Sequence, residues 1–275
     1  MEVVSKDIVV QWILPHLSVG KRGPKAGVDL CLVVELILYR LKTGCQWRSL
    51  PIGAFMERGS FTWEGVYYHH RRWVRDGSWR RVWVELLKAH KQHLDLSTMQ
   101  LDGSHTPAKK QGEGRGYQGR KAQTTTNALF LCDNCGQPLS LPTPQAGNHA
   151  DVFEITQRLQ ELCAPLEEAG IDLRGVFVNA DEGFDAQVLR QDLGERDLEA
   201  NIPHPDRKTK PQNKTADYVY FDEELYKRRF LIERANAWLD GFKGLLIRYE
   251  TKIQTWISMH MIAFAAILLR RVYKC

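Results

Sequence analysis

The chain has 275 residues, of which 43% are hydrophobic, and a formal net charge of +5. That length admits one large domain or two smaller ones, and the apolar fraction is enough for a core, which argues against global disorder. The most apolar run, 257–269, contains His260 and is shorter than the roughly 18 residues a membrane span requires, and the first ten residues carry Glu2, Lys6 and Asp7 rather than a signal-peptide core; a cytoplasmic protein without a membrane partner is expected.

Residues 1–20 read as a short helix around Ile8, Val9, Trp12 and Ile13, stopped near Pro15, and 21–26 as a basic loop. The spacing of Leu30, Val33, Val34, Ile37, Leu38 and Leu41 predicts a helix over 29–41, ended by Gly44. Thr62 is a candidate N-cap for a second helix through Val66, His70 and Trp73, and Asp76-Gly77 breaks it. Ser78 is a candidate cap for a third helix, from Trp79 to about His93. Residues 1–96 hold 15 Lys/Arg against 9 Asp/Glu, whereas 97–275 hold 23 against 24. Three short helices with tight turns and a basic excess suit an all-α, helix-turn-helix-like DNA-binding domain over 1–96. Arg71, Arg72, Arg75, Arg80 and Arg81, dense around the break between two helices, are its candidate phosphate contacts.

From residue 97 the pattern turns to strands. The run 98–101 ends at Asp102, with Gly103 expected to turn the backbone away at once. Residues 107–120 form a Gly/Lys/Arg-rich loop, read as a mobile phosphate-gripping loop beside Asp102, with Lys109, Lys110, Arg115, Arg120 and Lys121 as its cations. Strands at 124–131 and 137–142 join through Cys132-Asp133-Asn134-Cys135-Gly136. This is the single Cys-x-x-Cys; it lacks a second ligand pair and reads as a hairpin turn. Asp151-Val152-Phe153-Glu154 has the form of a capping box for a helix to about Leu162. A fourth strand, 176–180, ends at Asp181; Asp185 is a candidate cap for a helix to Leu193, and a fifth strand follows at 199–202. After a basic, proline-containing loop at 203–217 come a long helix at about 223–242 and a last apolar helix at 255–272.

Three antiparallel strands followed by strands alternating with helices are the element order of an RNase-H-like fold, so the class expected is mixed α/β, with the catalytic domain at 97–275. In such a sheet the first and fourth strands lie side by side, and their carboxyl ends bring Asp102 and Asp181 together. Glu233, four residues after Arg229 on a stripe that begins with Tyr226, is the third candidate. Clustered carboxylates repel and raise each other's pKa, so such a trio makes sense mainly around cations. Two hard divalent ions, Mg²⁺ with Mn²⁺ able to substitute, fit carboxylate ligands and the in-line displacement of a phosphodiester. Asp102 would bridge the ions, Asp181 bind one and Glu233 the other.

Leu101-Asp102-Gly103-Ser104, Ala180-Asp181-Glu182-Gly183-Phe184-Asp185 and Tyr226-x-x-Arg229-x-x-x-Glu233 resemble the DDE transposases of bacterial insertion sequences, closest to the group typified by insertion sequence five. Gly44-Cys45-Gln46-Trp47-Arg48-Ser49-Leu50-Pro51 and the segment from Trp73 to Trp79 resemble that group's N-terminal domain. The family pattern continues with a basic residue seven positions after the Glu; Asp240 stands there, and Lys243 follows one turn later. The resemblance implies hydrolysis of double-stranded DNA at terminal inverted repeats, attack of the freed 3′-OH on target DNA, and a homodimer on paired ends. The alternatives are a Mg²⁺-dependent nuclease of the same fold that does not transpose, and a domesticated DNA-binding protein.

Overall fold

Apolar periodicity of 3.6 in the first third and near 2 in the middle resolves, in a computed structural model, into a helical layer built onto one side of a twisted sheet; residues 3–20, 28–55, 61–204 and 220–274 are described. The basic loop at 21–26 and most of that at 203–217 lie outside the described residues.

The first helical segment passes from α1 (Lys6–Ile8) through a π turn (Val9–Ile13) to a 3₁₀ turn (Leu14–His16). Helix α2 (Leu30–Thr43) starts where the Asp29 carboxylate accepts the Cys31 N–H at 2.9 Å, and ends where Gly44 takes φ 70°. After the short α3 (Ile52–Phe55) come α4 (Trp63–Arg75) and α5 (Ser78–His90). Thr62 stands at the N-cap of α4 without a side-chain bond, and Ser78 is not the cap of α5. Gly77, at φ 72°, holds that position, and the Asp76 carboxylate takes the Ser78 N–H at 3.0 Å and its hydroxyl at 2.6 Å.

The sheet consists of β1 (Thr98–Pro107), β2 (Gly116–Gln118), β3 (Gln123–Cys132), β4 (Pro138–Ser140), β5 (Gln145–Ala146), β6 (Phe177–Asn179) and β7 (Glu199–Asn201), in the order β2-β3-β1-β6-β7, with β4 and β5 also on β3. β1 is antiparallel to β3 and parallel to β6, and β6 is parallel to β7. This is the arrangement of an RNase-H-like sheet. β1 is longer than expected, because it stays paired with β3 from Gln100↔Cys132 to Pro107↔Thr125. Gly103 therefore does not turn the chain. An added Cβ there would stand 2.3 Å from Asp151 Oδ1, so close approach is what requires glycine.

The loop after β1 is not a free loop either. It contains β2, the Lys109 N–H donates to the Arg248 carbonyl at 3.1 Å, the Glu113 N–H donates to that of Thr251 at 3.0 Å, and the Glu113 carboxylate accepts the Ile253 N–H at 3.0 Å. The 132–136 turn is organised by Asp133, whose carboxylate accepts N–H groups of Asp95, Cys135 and Gln137.

α6 (Ile155–Glu168) begins without the expected capping box. Glu154 stands at its N-cap at φ 49° and Asp151 points elsewhere, its carboxylate taking Asn127 Nδ2 at 2.7 Å. α7 (Gln187–Glu195) is capped at Ala186, because Asp185 is engaged by Arg190 at 2.8 Å and His204 at 2.6 Å. The expected long helix is broken into α8 (Glu223–Tyr226), a 3₁₀ turn (Lys227–Arg229) and α9 (Phe230–Asp240). α10 (Lys243–Leu246) leads to α11 (Ile253–Tyr273).

α11 is long and apolar enough to cross a membrane, but 67% of its apolar window is buried inside the protein. It packs on α5 and α4, with Phe264 5.6 Å from Trp83, and on the sheet through Phe130, 5.4 Å from His260. One hydrophobic core thus takes in the N-terminal helices, α11 and the sheet.

Candidate active site at the strand ends

The register of the central parallel pair fixes where the two aspartates arrive. Gln100 lies opposite Asn179, and each is followed two residues later by a carboxylate, Asp102 and Asp181. Residues two apart on a strand share a face. Asp181 leaves β6 in extended conformation, and its Oδ1 accepts the Gly183 N–H at 3.0 Å, which starts a 3₁₀ turn.

Between the two carboxylates stands one guanidinium nitrogen. Arg229 Nη2 is 3.5 Å from Asp102 Oδ1 and 3.4 Å from Asp181 Oδ2. The 3₁₀ turn that ends at Arg229 winds at three residues per turn, which sets Arg229 in line with Tyr226, three residues back. The Tyr226 ring lies 5.2 Å from that of Phe221. Burial pushes the Asp102 carboxyl above its ordinary pKa, with Asp181 and Asp151 adding to the rise, against the pull of Arg229 and the Gly103 N–H.

The structure thus brings together Asp102, Asp181 and Arg229. Glu233 is exposed on the first turn of α9, and among the described residues no three His, Cys, Asp or Glu side chains are gathered into a metal-ready group. Asp102 and Asp181 fit a hard cation in kind, as oxygen donors facing one gap that already holds a positive group.

The candidate DNA contacts divide. Arg72 donates to the Ser18 carbonyl, Arg80 pairs with Glu168 at 2.7 Å, and Arg81 donates to Ser78 Oγ at 2.9 Å and to the His16 carbonyl at 3.3 Å. These three tie elements of the protein together. Arg75 is exposed, as is Arg71, which lies over the Tyr67 ring at 5.6 Å. Lys109, Lys110, Arg120 and Lys121 are exposed, Arg115 donates to Gln111, and Lys243 is exposed where the chain passes Gly44. Burial lowers the pKa of His105, three residues beyond Asp102; Asp151 opposes the fall, and Lys121 and Arg120 add to it.

Sequence reasoning missed two groups. Asp151 was hidden by its resemblance to a helix cap. Gln100, Asn179 and Asn201 are fully buried amides, and the signal for them was a polar residue inside an apolar run, two positions before each aspartate in the first two cases.

Among known structures, a piggyBac transposase synaptic complex with hairpin DNA is similar in fold, with a TM-score of 0.54 at 10% identity over 98% of this chain and 72% of that one. A Mos1 mariner paired-end complex with Mn aligns at a TM-score of 0.29 and 14% identity, over 90% of this chain and 78% of that one. No curated protein sequence matches the chain. Residues 9–83 match the DUF4096 family, described for IS4/5 transposases, and residues 94–268 match the transposase DDE domain. With more than half its length inside that second match, the chain belongs to the DDE-domain transposases.

Proposed function

We propose that this transposase cuts and joins DNA at the carboxyl ends of β1 and β6, with Asp102, Asp181 and Glu233 as its acidic set. The observation that carries the reading is the single Arg229 nitrogen within 3.5 Å of Asp102 and 3.4 Å of Asp181. Two carboxylates converging on one gap need a positive charge between them. In the free protein Arg229 supplies it.

Mg²⁺, as two ions with Mn²⁺ able to substitute, would be held by Asp102, Asp181 and Glu233, and would supply an activated water and charge neutralisation at the scissile phosphate. Burial holds the Asp102 carboxyl above its ordinary pKa, and a cation in the gap would draw it back down, as Arg229 does in part. Arg229, freed from the carboxylates, would turn its fork to the phosphate oxygens. Tyr226, in line with it, would support the same strand, and Lys109, Lys110, Arg115, Arg120, Lys121 and Lys243 would grip flanking phosphates. Residues 1–96 would act as the module that recognises the terminal inverted repeats, with Arg71 and Arg75 outermost. The enzyme would work on DNA in the bacterial cytoplasm, as a homodimer joining two ends.

The test is cleavage of labelled duplexes carrying the terminal repeats, with Mg²⁺, by wild type and by Asp102→Ala, Asp181→Ala and Glu233→Ala. Each variant is expected to lose cutting; one that retains it removes that residue from the set. A pre-nicked end that is joined to a second duplex separates transposition from simple nuclease action.

A further inference from the structure

Beneath the two aspartates lies a row of buried amides. Gln100 on β1, Asn179 on β6 and Asn201 on β7 are all fully buried, and the register sets them level, Gln100 opposite Asn179 and Asn179 opposite Asn201. They form one directed chain. Asn201 Nδ2 donates to Asn179 Oδ1 at 2.7 Å, Asn179 Nδ2 donates to Gln100 Oε1 at 2.8 Å, and Gln100 Nε2 donates to Thr98 Oγ1 at 2.8 Å.

At one end the chain passes through the Thr98 hydroxyl to Asn134 Oδ1 at 3.0 Å; the remaining groups of the two asparagines reach one segment. Asn179 Nδ2 also donates to the Leu225 carbonyl at 2.9 Å, and Asn201 Nδ2 to the Asp222 carbonyl at 3.0 Å. Asn201 Oδ1 accepts the Asp222 N–H at 2.8 Å. Asp222 in turn caps α8, its carboxylate taking the Leu225 N–H at 3.0 Å. Arg229 lies one turn further along. Apolar side chains would fill this core as well or better for stability alone; a buried network of hydrogen-bonded amides instead fixes one arrangement of the pieces it joins.

We infer that Gln100, Asn179 and Asn201 are positioning residues, which lock the 222–225 segment onto β6 and β7 so that Arg229 is aimed at the ends of the strands that carry Asp102 and Asp181. The inference rests on the proposed reading of the site. The amides lie one strand repeat below the two aspartates, so a single layer sets both the spacing of the strands and the entry angle of the helix.

The test uses the full chain, with Asn179→Leu and Asn201→Ala, each alone and each combined with Arg229→Ala. Hydrogen exchange at 222–229 is expected to accelerate about ten-fold or more while the backbone of 98–102 stays protected. Single-turnover cleavage is expected to fall about ten-fold or more with end affinity kept within about two-fold, and each double variant is expected to be no slower than Arg229→Ala alone. Unchanged exchange at 222–229, or losses that multiply in the double variants, would overturn the inference. Should Asn179→Leu not fold, Asn201→Ala removes only the outer rung and decides the question by the same readings. Failure of the site reading is distinguishable, since it would leave Asp102→Ala and Asp181→Ala cutting normally, whereas exchange does not depend on cutting.

Discussion

Gly103→Ala tests the packing under the site with a single methyl group. The new Cβ would stand 2.3 Å from Asp151 Oδ1 and 2.5 Å from its Cγ. Ordinary contacts between such atoms lie near 3.5 Å, so the carboxylate must retreat by about 1 Å. It cannot do so for nothing, because it accepts Asn127 Nδ2 at 2.7 Å. A hydrogen bond to a charged group is worth about 1.5–3 kcal/mol, and the stiffer unfolded chain of an alanine returns about 0.4–1 kcal/mol. The net loss is therefore about 1–2 kcal/mol, or a fall of about 5 °C in Tm for a chain of this size. Calorimetry on Gly103→Ala, Asp151→Ala and the double variant measures it. The double variant should be no less stable than Asp151→Ala, since the clash has gone. An unchanged Tm in Gly103→Ala, or a double variant that loses the sum of the two, would refute the contact.

The buried charge at Asp102 carries a stability cost at neutral pH. Its folded pKa is raised, chiefly by burial, so its contribution to stability is present at acid pH and is lost as the pH rises through the folded value. Without divalent metal, Asp102→Asn should therefore melt above wild type at pH 7 and lose that advantage on acidification; a lower Tm at pH 7 contradicts this. In the metal-free protein Arg229→Ala should raise the Asp102 carboxyl further, because the guanidinium opposes the rise; a fall in the pH at which Asp102 titrates by NMR would be the opposing result. Glu250→Ala should cost about 3–5 kcal/mol in urea unfolding, because it strands Arg40, 2.8 Å away, in a pair whose side chains are only 9% and 7% exposed; a loss below about 1 kcal/mol would show that the charge finds water. Arg71→Ala/Arg75→Ala should lower the salt slope of end binding by about one unit per lost phosphate contact, whereas Arg80→Ala should act on stability through Glu168. An unchanged slope would take α4 out of the DNA interface.

Much of the fold was legible because each central strand announces itself as an apolar run closed by a carboxylate. Leu101-Asp102 and Ala180-Asp181 need only a parallel pairing to meet, and the element order supplied one. What could not be read depends on partners distant in the chain. Gly103 looks like a turn residue until Asp151, forty-eight positions later, is found against it. The extension of β1 through Ser104 and His105 lacks alternation and is held by its pairing with β3 alone. The break at Lys227–Arg229 was invisible because Tyr226, Arg229 and Glu233 keep helical spacing across it. Nor does composition distinguish an arginine spent on Ser18 or Glu168 from one facing solvent, so the density around residue 76 overstated the surface charge available to DNA.

The place of α11 has a consequence for biosynthesis. Trp83, on a helix made early, finds its aromatic neighbour Phe264 only after the whole sheet has been synthesised. A ribosome delivers those segments in order, so the nascent helical layer must wait, its greasy side uncovered, until residues 253–273 emerge. Arg40 likewise waits for Glu250. The helical layer and the sheet would therefore mature together, and a product truncated before α11 would be a target for proteolysis.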